Sequence, residues 1–261
     1  MKQLKAKIIE NKRIAKGFYR MRLGSAYLAK ASKPGQFVEI RSSDTDETLL
    51  RRPFGVHRIV KGGIEVLYEV IGKGTTSLSA KKKSEHLDII GPLGNGFSVK
   101  RPARGIQRPA VLVAGGVGVA PLLCLAEEMT KKKIKLYVMI GAKTGAHILC
   151  EKEFRRLGCF CLVSTEDGSK GHKGYVTDIM RHLLIVVRRK VSGIYACGPH
   201  PMLKAVSRIA ASSGIPCQVS MEEHMACGVG VCLGCPVKVK SGGYKMVCKD
   251  GPVFNMEEIA W

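Results

Sequence analysis

Four cysteines towards the C-terminal end of the sequence have a spacing that suits iron chemistry. Cys227, Cys232 and Cys235 follow the pattern C-x4-C-x2-C, and Cys248 comes after twelve further residues. This spacing is typical of plant-type [2Fe–2S] sites, in which four thiolates hold two irons. Glycines between the cysteines let the backbone curl tightly and direct amide N–H groups at sulfur. A structural zinc site is the alternative, because four thiolates also suit tetrahedral Zn²⁺, but zinc ribbons usually pair two C-x2-C knuckles and this stretch has a single one.

Two stretches in the first hundred residues could bind a phosphorylated cofactor. In residues 50–55 an arginine pair precedes a rigid proline and an aromatic residue, so a guanidinium could bind a pyrophosphate beside a flat flavin ring. In residues 68–78, glycines followed by hydroxyl side chains open a predicted helix, whose N-terminal amides could cradle phosphate. The Walker spacing is absent there. The alternative for the first stretch is the ordinary start of a strand, and each stretch strengthens the interpretation of the other.

Two glycine turns directly follow predicted strands in the middle of the chain, at residues 115–121 and 197–202. Ligands of doubly wound sheets bind beyond the carboxyl ends of the strands, and glycine lets a dinucleotide approach the backbone there. The first turn lacks the strict G-x-G-x-x-G register, so the standard dinucleotide fingerprint is not met. Cys197 could lie against a nicotinamide ring, and simple packing is the alternative.

Two patterns of secondary structure are predicted to position these residues. Short β-rich runs separated by turn residues predict a small antiparallel barrel, with strands at 4–10, 18–23, 36–41, 55–60, 64–70 and 87–90. Residues 100–105 are predicted to be a polar linker. From residue 110, strands alternate with helices, which predicts a doubly wound parallel sheet. Its strands cover 110–114, 136–141, 160–164 and 193–197, and its helices cover 122–129, 150–157, 176–184 and 202–211.

The composition is that of a globular protein with a large excess of positive charge. The 261 residues are 45% hydrophobic, and 43 Lys and Arg against 21 acidic residues give a net charge of +22. The basic runs are short and have no interleaved aromatics, which favours a solvated basic surface over a nucleic-acid site. The longest uncharged run, residues 110–126, is shorter than the ~20 residues of a membrane span. Ten cysteines, with no apolar signal core at the N-terminus, predict a reducing, cytoplasmic location.

The order of barrel, α/β domain and cysteine-rich tail resembles the ferredoxin-NADP⁺ reductase family with a C-terminal [2Fe–2S] domain. More narrowly, the motifs LRRPF at 50–54, GKGT at 72–75, GPLGNGF at 91–97, GGVGVAP at 115–121 and CGVGVCLGC at 227–235 resemble those of the electron-transfer subunits of dihydroorotate dehydrogenase B. The resemblance runs from about residue 4 to the C-terminus, and the tail motif is its most specific part. It implies an FAD-binding antiparallel β-barrel over residues 1–103, an NAD-binding α/β domain over 104–217 and a [2Fe–2S] domain over 218–261.

The resemblance also implies which residues meet each cofactor. For FAD they are Arg52, Pro53, Phe54 and Gly55, then Tyr68, Glu69 and Val70, then Gly74, Thr75 and Thr76. For NAD they are Gly115, Gly116, Gly118, Pro121, Cys197, Gly198 and Pro199, and for the cluster they are Cys227, Cys232, Cys235 and Cys248. The sequence departs from the family pattern at two positions. The family often has Ser where Gly55 stands and Arg where Glu69 stands, so Glu69 is expected to contribute only its backbone.

In the family that the sequence resembles, a separate FMN-containing subunit oxidises dihydroorotate to orotate in pyrimidine biosynthesis. Electrons pass singly through the [2Fe–2S] cluster to FAD, which delivers a hydride to NAD⁺, so the resemblance implies an oxidoreductase subunit with no general acid or base of its own. It also implies a hetero-oligomer with two copies of each subunit. One alternative is a subunit of another NAD(P)H-linked ferredoxin or sulfide-type oxidoreductase. The other is a zinc-stapled basic protein that binds nucleic acid.

Overall fold

An antiparallel barrel forms the N-terminal part of the chain. The computed structural model describes residues 1–43, 49–99, 108–187 and 190–261. The barrel strands are β1 (Lys2–Ala15), β2 (Phe18–Gly24), β3 (Phe37–Ile40), β4 (Arg52–Val60), β5 (Gly63–Glu69) and β6 (His86–Leu93). They close in the order β1-β2-β5-β4-β3-β6. The predicted antiparallel barrel is therefore confirmed.

Alternating apolar residues build the interior of this barrel. In β1, Ala6 and Ile8 are fully buried while the lysines between and beside them face outward, as a period of two residues requires. β1 extends beyond the predicted 4–10 because its second half pairs with β2 through Ala15. Two helices, α1 (Ala26–Ala31) and α2 (Lys73–Ala80), connect barrel strands, and only α2 was predicted.

A seven-stranded sheet forms the second layer of the molecule. Its order is β10-β9-β8-β7-β11-β12-β15, and every neighbouring pair except β12–β15 is parallel. The strands from this part of the chain onwards are β7 (Ala110–Gly115), β8 (Leu136–Ala142), β9 (Phe160–Thr165), β10 (His172–Lys173), β11 (Ile194–Cys197), β12 (Cys217–Ser220), β13 (Pro236–Lys238), β14 (Tyr244–Met246) and β15 (Val253–Asn255). The chain runs outward from β7 to β10 and then returns to place β11 beside β7, so the strand order reverses between β7 and β11.

Helices cover both faces of this sheet, as a doubly wound fold requires. They are α3 (Val119–Lys131), α4 (Glu151–Arg156), α5 (Val176–Val186) and α6 (His200–Ser212). Leu112 of β7 shares a buried core with residues of α3 and α4, and its neighbour Val113 shares the opposite core with residues of α5 and α6. The doubly wound prediction is confirmed, with helix ends close to the predicted ones. No helix within the described parts of the chain is long and apolar enough to cross a membrane.

The C-terminal tail packs against both preceding units. β13 and β14 form a hairpin, and β15 pairs antiparallel with β12, where Val219 lies opposite Phe254. Phe37 and Leu93 of the barrel share one buried core with Phe254. The predicted division between residues 217 and 218 thus lies within β12, and the tail completes the large sheet. The predicted linker, residues 100–105, lies outside the described residues.

Candidate functional site

The cysteine-rich stretch folds so that its four thiols form two pairs. Cys235 precedes β13 and Cys248 follows β14, and the hairpin pairs Pro236 with Met246. The Sγ atoms of Cys235 and Cys248 therefore lie 3.2 Å apart. At the other end of the motif, the N–H of Cys232 donates to Sγ of Cys227 at 3.4 Å, and the Cys232 thiol is also within hydrogen-bond reach of that sulfur. The first pair is buried, whereas Cys227 is half-buried and Cys232 is exposed.

Backbone amides point at these sulfurs. Sγ of Cys227 also accepts from the N–H of Val229, and Sγ of Cys232 accepts from Gly234, each at 3.4 Å. Burial would raise the pKa of the Cys227 thiol, but the N–H groups of Cys232 and Val229 outweigh burial and lower the pKa to about 6. Cys227 is therefore mostly thiolate at neutral pH, which is the form that binds metals.

The arrangement in two pairs fits a two-iron group better than a single ion. Tetrahedral zinc needs four ligands about one centre. A [2Fe–2S] cluster instead has two metal centres for four thiolates, and its sulfurs accept N–H donors of the kind found here. The chemistry of the donor set thus fits the predicted cluster.

The predicted phosphate site combines Arg52, at the start of β4, with the N-terminus of α2. A Cβ built on Gly74 would lie 3.0 Å from Nε of Arg52, so the guanidinium covers the first turn of the helix. Nη1 of Arg52 donates to the carbonyl of Leu50 at 2.7 Å, which orients the group. Amides in a first helical turn have no intrahelical acceptor, and the helix dipole adds positive charge. These groups together suit a diphosphate.

Two threonines in this loop have different surroundings. Oγ1 of Thr75 accepts from the N–H groups of Ile71 and Gly72 at 3.0 and 3.2 Å, so this buried hydroxyl shapes the loop itself. Thr76 is exposed and lines an open groove together with Val70. Of the two, Thr76 is the hydroxyl that a ligand in the groove can reach.

Two predicted flavin residues turn their rings into the barrel. Phe54 and Tyr68 are buried in its core with ring centroids 5.6 Å apart, and the hydroxyl of Tyr68 donates to Oδ1 of Asn11 at 3.0 Å. Alternation along β4 leaves Pro53 and Gly55 on the outer face. A flat ligand on that face would meet Pro53, Gly55 and the strand backbone. Glu69 and Val70, half-buried at the end of β5, also offer backbone atoms.

The two glycine turns meet where the strand order of the sheet reverses. A Cβ on Gly118 would lie 2.3 Å from the carbonyl oxygen of Cys197, and one on Gly115 would lie 2.8 Å from Cδ of Pro199. Gly198 has φ +155 and approaches the backbone of Gly115 equally closely. Only residues without side chains allow this approach. Gly116 has φ +54 with open space around it, so its amide edge is accessible.

The flavin-type strand and the dinucleotide-type turn lie next to each other. A Cβ on Gly55 would be in ordinary contact with Pro121, at 3.8 Å. Burial raises the pKa of the Cys197 thiol to about 12, so this side chain is a neutral thiol at the strand end. The structure therefore brings together the predicted residues on β4, on the 115–121 turn and on the 197–199 turn.

Sequence reasoning missed Glu39 and His57, two buried polar residues between these sites. Glu39 of β3 lies opposite Pro53, and neither of its carboxylate oxygens has a hydrogen-bond partner among the described residues. Residues 227–235, which carry three of the four cysteines, form the cysteine loop. A Cβ on Gly228 of this loop would lie 2.6 Å from Cγ of Glu39. Burial raises the pKa of this carboxyl group to about 7. A charged residue in a short strand is usually exposed, so nothing in the sequence indicated that a loop some two hundred residues away covers it.

The fold and the paired thiols define an iron–sulfur oxidoreductase of the ferredoxin-NADP⁺ reductase type, and comparisons with known proteins agree. Residues 222–260 match the family model described as the iron–sulfur cluster binding domain of dihydroorotate dehydrogenase B. Residues 112–208 match the oxidoreductase NAD-binding domain. The first match contains all four paired cysteines, and the second contains both glycine turns.

Similar proteins cover nearly the whole chain. The electron transfer subunit of dihydroorotate dehydrogenase B (NAD⁺) from Caldanaerobacter subterraneus is 41% identical over 98% of this chain and 98% of its own length. The corresponding subunit from Desulforamulus reducens is 37% identical, over 98% and 97%. A solved NADH-dependent reduced ferredoxin-NADP oxidoreductase has a TM-score of 0.86 and 34% identity, covering 98% of this chain and 90% of that one. The chain belongs to the family of dihydroorotate dehydrogenase B electron transfer subunits.

Proposed function

We propose that this chain carries electrons from a dihydroorotate-oxidising, FMN-containing subunit to NAD⁺ in pyrimidine biosynthesis. The observation that carries the proposal is the pairing of four thiols within the segment that the iron–sulfur family model matches. When bound, a [2Fe–2S] cluster supplies single-electron transfer, and FAD supplies the exchange between single electrons and the hydride that NAD⁺ requires. The chain's own residues bind and orient these groups.

The barrel would hold FAD through its outer face. Arg52 and the first-turn amides of α2 would bind the diphosphate, and Thr76 offers a hydroxyl to the open groove at the start of that helix. Pro53, Gly55 and the backbone of residues 68–70 would contact the flat ring. Phe54 and Tyr68 support these contacts from inside the barrel, because their packing fixes the position of the strands.

The two turns at the carboxyl edge of the sheet would hold NAD. Close approach of Gly115 and Gly118 to Cys197, Gly198 and Pro199 leaves a backbone-lined crevice where strand order reverses, the position at which doubly wound sheets bind ligands. Pro121 lies against Gly55, so the nicotinamide end of this crevice would open towards the flavin face. Cys197, as a neutral thiol, would pack against a ring without adding charge.

The cysteine loop would face the catalytic partner. Val231 is 78% exposed and Leu233 is 65% exposed, and both stand between cluster ligands. Single exposed apolar side chains are common on protein surfaces, so exposure alone does not mark a contact. These two side chains differ from the others in standing between cluster ligands, where electrons must enter. We propose a complex with two copies of each subunit, located in the cytoplasm. We also propose that the chain divides into domains at residues 1–103, 104–217 and 218–261. Strand β15 of the third domain pairs with β12 and so extends the sheet of the second domain.

A second candidate keeps the cofactors and changes the partner. The solved ferredoxin-NADP oxidoreductase matches 98% of this chain at 34% identity. This identity is close to the 37% of the dihydroorotate dehydrogenase subunit from Desulforamulus reducens. Under this candidate the same sites would exchange electrons with a ferredoxin-dependent flavoprotein. The similarity of the named subunits along their whole length favours the dihydroorotate partner.

Reconstitution tests the proposal. The purified chain, loaded anaerobically with iron, sulfide and FAD, is expected to show flavin and [2Fe–2S] absorbance and to reduce dyes with NADH. Addition of a dihydroorotate-oxidising partner should then couple dihydroorotate to NAD⁺ reduction. Coupling to a ferredoxin-dependent partner alone would support the second candidate, and a chain that stays colourless after loading contradicts both.

The partner surface has its own control. The double substitution Val231→Ser and Leu233→Ser is expected to weaken binding to the partner at least tenfold while cluster absorbance is retained. Ile185→Ser removes a residue of similar exposure, 73%, on α5 and should leave binding unchanged. If the wild type, the double variant and Ile185→Ser all bind the partner equally well, the cysteine loop is not the contact.

A further inference from the structure

A buried histidine links the flavin-type strand to the dinucleotide-type turn. His57 lies two residues beyond Gly55 on β4 and is 2% exposed. Its Nδ1 lies 3.1 Å from the carbonyl oxygen of Ala120, the residue directly before Pro121. β4 therefore contacts the start of α3 twice in succession, by Gly55 packing on Pro121 and by His57 bonding to Ala120.

The direction of this hydrogen bond follows from the charge of the ring. Burial lowers the pKa of His57 to about 4, so the imidazole is neutral at physiological pH. A carbonyl oxygen can only accept, so Nδ1 must carry the single ring proton and donate it. The ring is thus a neutral donor with one fixed orientation.

The next residue on β4 makes a second polar link to the same helix. Nε of Arg58 donates to Oε1 of Glu127 at 2.7 Å, and Nη2 lies 2.6 Å from the same oxygen. The Glu127 side chain is 15% exposed, so this ion pair is partly desolvated and fixed in geometry. Ala120 and Glu127 are seven residues apart, about two turns along the same helix, so the two links resist both sliding and tilting of α3.

We infer that His57 and Arg58 are positioning residues for hydride transfer, which set the spacing between the flavin face of β4 and the turn that holds NAD. This inference rests on the proposed function. Hydride transfer needs the reacting carbon and nitrogen within about 3–3.5 Å, and a misplacement of about 1 Å can slow a reaction about a hundredfold. The ligand-binding parts belong to different units of the chain, so their separation depends on contacts such as these. Neither side chain needs to touch a cofactor for this role.

The test compares two substitutions of His57 in the chain loaded with FAD and cluster. His57→Leu removes the donor at similar volume, whereas His57→Asn keeps a donor, because the amide nitrogen of Asn can occupy the place of Nδ1. Rapid mixing with NADH measures flavin reduction, and NADH deuterated at the transferred position gives the isotope effect. His57→Leu is expected to slow flavin reduction about tenfold to a hundredfold and to increase the isotope effect. His57→Asn should stay within about threefold of the wild type.

Two further readouts separate positioning from general damage. Reoxidation of chemically reduced flavin by a dye needs no nicotinamide, so it should be unchanged in both variants. If His57→Leu does not fold, Glu127→Gln weakens the second link at a part-exposed position, and a several-fold slower reduction is expected. The inference is overturned if His57→Leu has the rate of flavin reduction and the isotope effect of the wild type. If Glu127→Gln is used because His57→Leu does not fold, the same result in that variant overturns it. A wild-type chain that NADH does not reduce contradicts the proposed function instead.

Discussion

Substitution of one glycine in the cysteine loop probes whether the loop needs Glu39 beneath it. Gly228 has φ +67 and lies directly over the buried carboxyl group. In Gly228→Ala, the new Cβ would lie 2.6 Å from Cγ and 2.9 Å from Oε1 of Glu39, closer than van der Waals contact allows. Because the Glu39 side chain is fully buried and has little room to move aside, we expect the loop to rise from β3 and to carry the pair formed by Cys227 and Cys232 with it.

Two costs add in this variant. A side chain at positive φ costs about 1–2 kcal/mol. Overpacking a buried site costs about 1–3 kcal/mol more. Gly243 provides the matched control, because it has φ +78 and no atom within 4 Å of a built Cβ. Gly243→Ala should therefore show the first cost alone, and the difference between the two variants isolates the contact with Glu39.

A double-mutant cycle with Glu39→Ala completes the experiment. Alanine at position 39 removes Cγ and the carboxyl group, so Gly228→Ala should cost about 1–3 kcal/mol less in this background. Urea unfolding of the cluster-free chain under reducing, anaerobic conditions measures these free energies of unfolding. Iron content after loading reports whether the thiol pairs still meet, and it should fall in Gly228→Ala and recover in the double variant.

The outcome that refutes this reasoning is specific. If Gly228→Ala destabilises the chain no more than Gly243→Ala does, the cysteine loop does not rest on Glu39. The same follows if Glu39→Ala leaves the cost of Gly228→Ala unchanged. In either case the barrel strand β3 and the cysteine loop would not be joined through the contact between Glu39 and Gly228.

Three further predictions concern the other sites. Folding lowers the pKa of His57 from about 6.5 to about 4, so between these pH values the unfolded chain binds a proton that the folded chain does not, and the free energy of unfolding falls as the pH drops. In urea unfolding, the wild type should lose about 2 kcal/mol more than His57→Asn does between pH 7.5 and 5. Equal losses in the two proteins would contradict this prediction. Cys232→Ser should lose the cluster absorbance and the coupling to the partner while NADH-to-dye activity through FAD is partly kept, whereas equal loss of both activities would show that the cluster domain is needed for folding. Arg52→Met should weaken FAD binding by at least tenfold in fluorescence titration, and an unchanged affinity would remove Arg52 from the diphosphate site.

The main elements were predictable because their local patterns agree with their tertiary surroundings. Alternation in the first half of β1 predicts a strand with one buried face, and the barrel buries that face. Continuous apolar runs such as β7, buried along its whole length, predict the central strands of a parallel sheet. β12 and β15 were not predicted, because neither short segment has an alternating or continuous apolar pattern of its own, and β15 is ordered as a strand by pairing with β12.

The candidate site was predictable where a motif is contiguous in sequence. The cysteine spacing predicts ligands whose pairing depends on a short hairpin, and the glycine turns predict a crevice at the strand ends. Glu39 and His57 could not be found in this way. Their burial depends on segments distant in sequence, the cysteine loop over Glu39 and the start of α3 over His57. A strand pattern shows which residues share a face, but it does not show what covers that face.

The paired strands β3 and β4 have neighbours in the order that the proposed electron path requires. Glu39 on β3 lies under the cysteine loop, and its cross-strand partner Pro53 belongs to the outer face proposed for the flavin. Two residues further along β4, Gly55 meets Pro121, and His57 then bonds to Ala120 at the turn proposed for NAD. The cysteine loop and the dinucleotide turn thus pack on neighbouring strands of one rigid sheet. Because Glu39, His57 and Ala120 are buried and close-packed, the separation between the cysteine loop and the dinucleotide turn depends on how β3 and β4 pair.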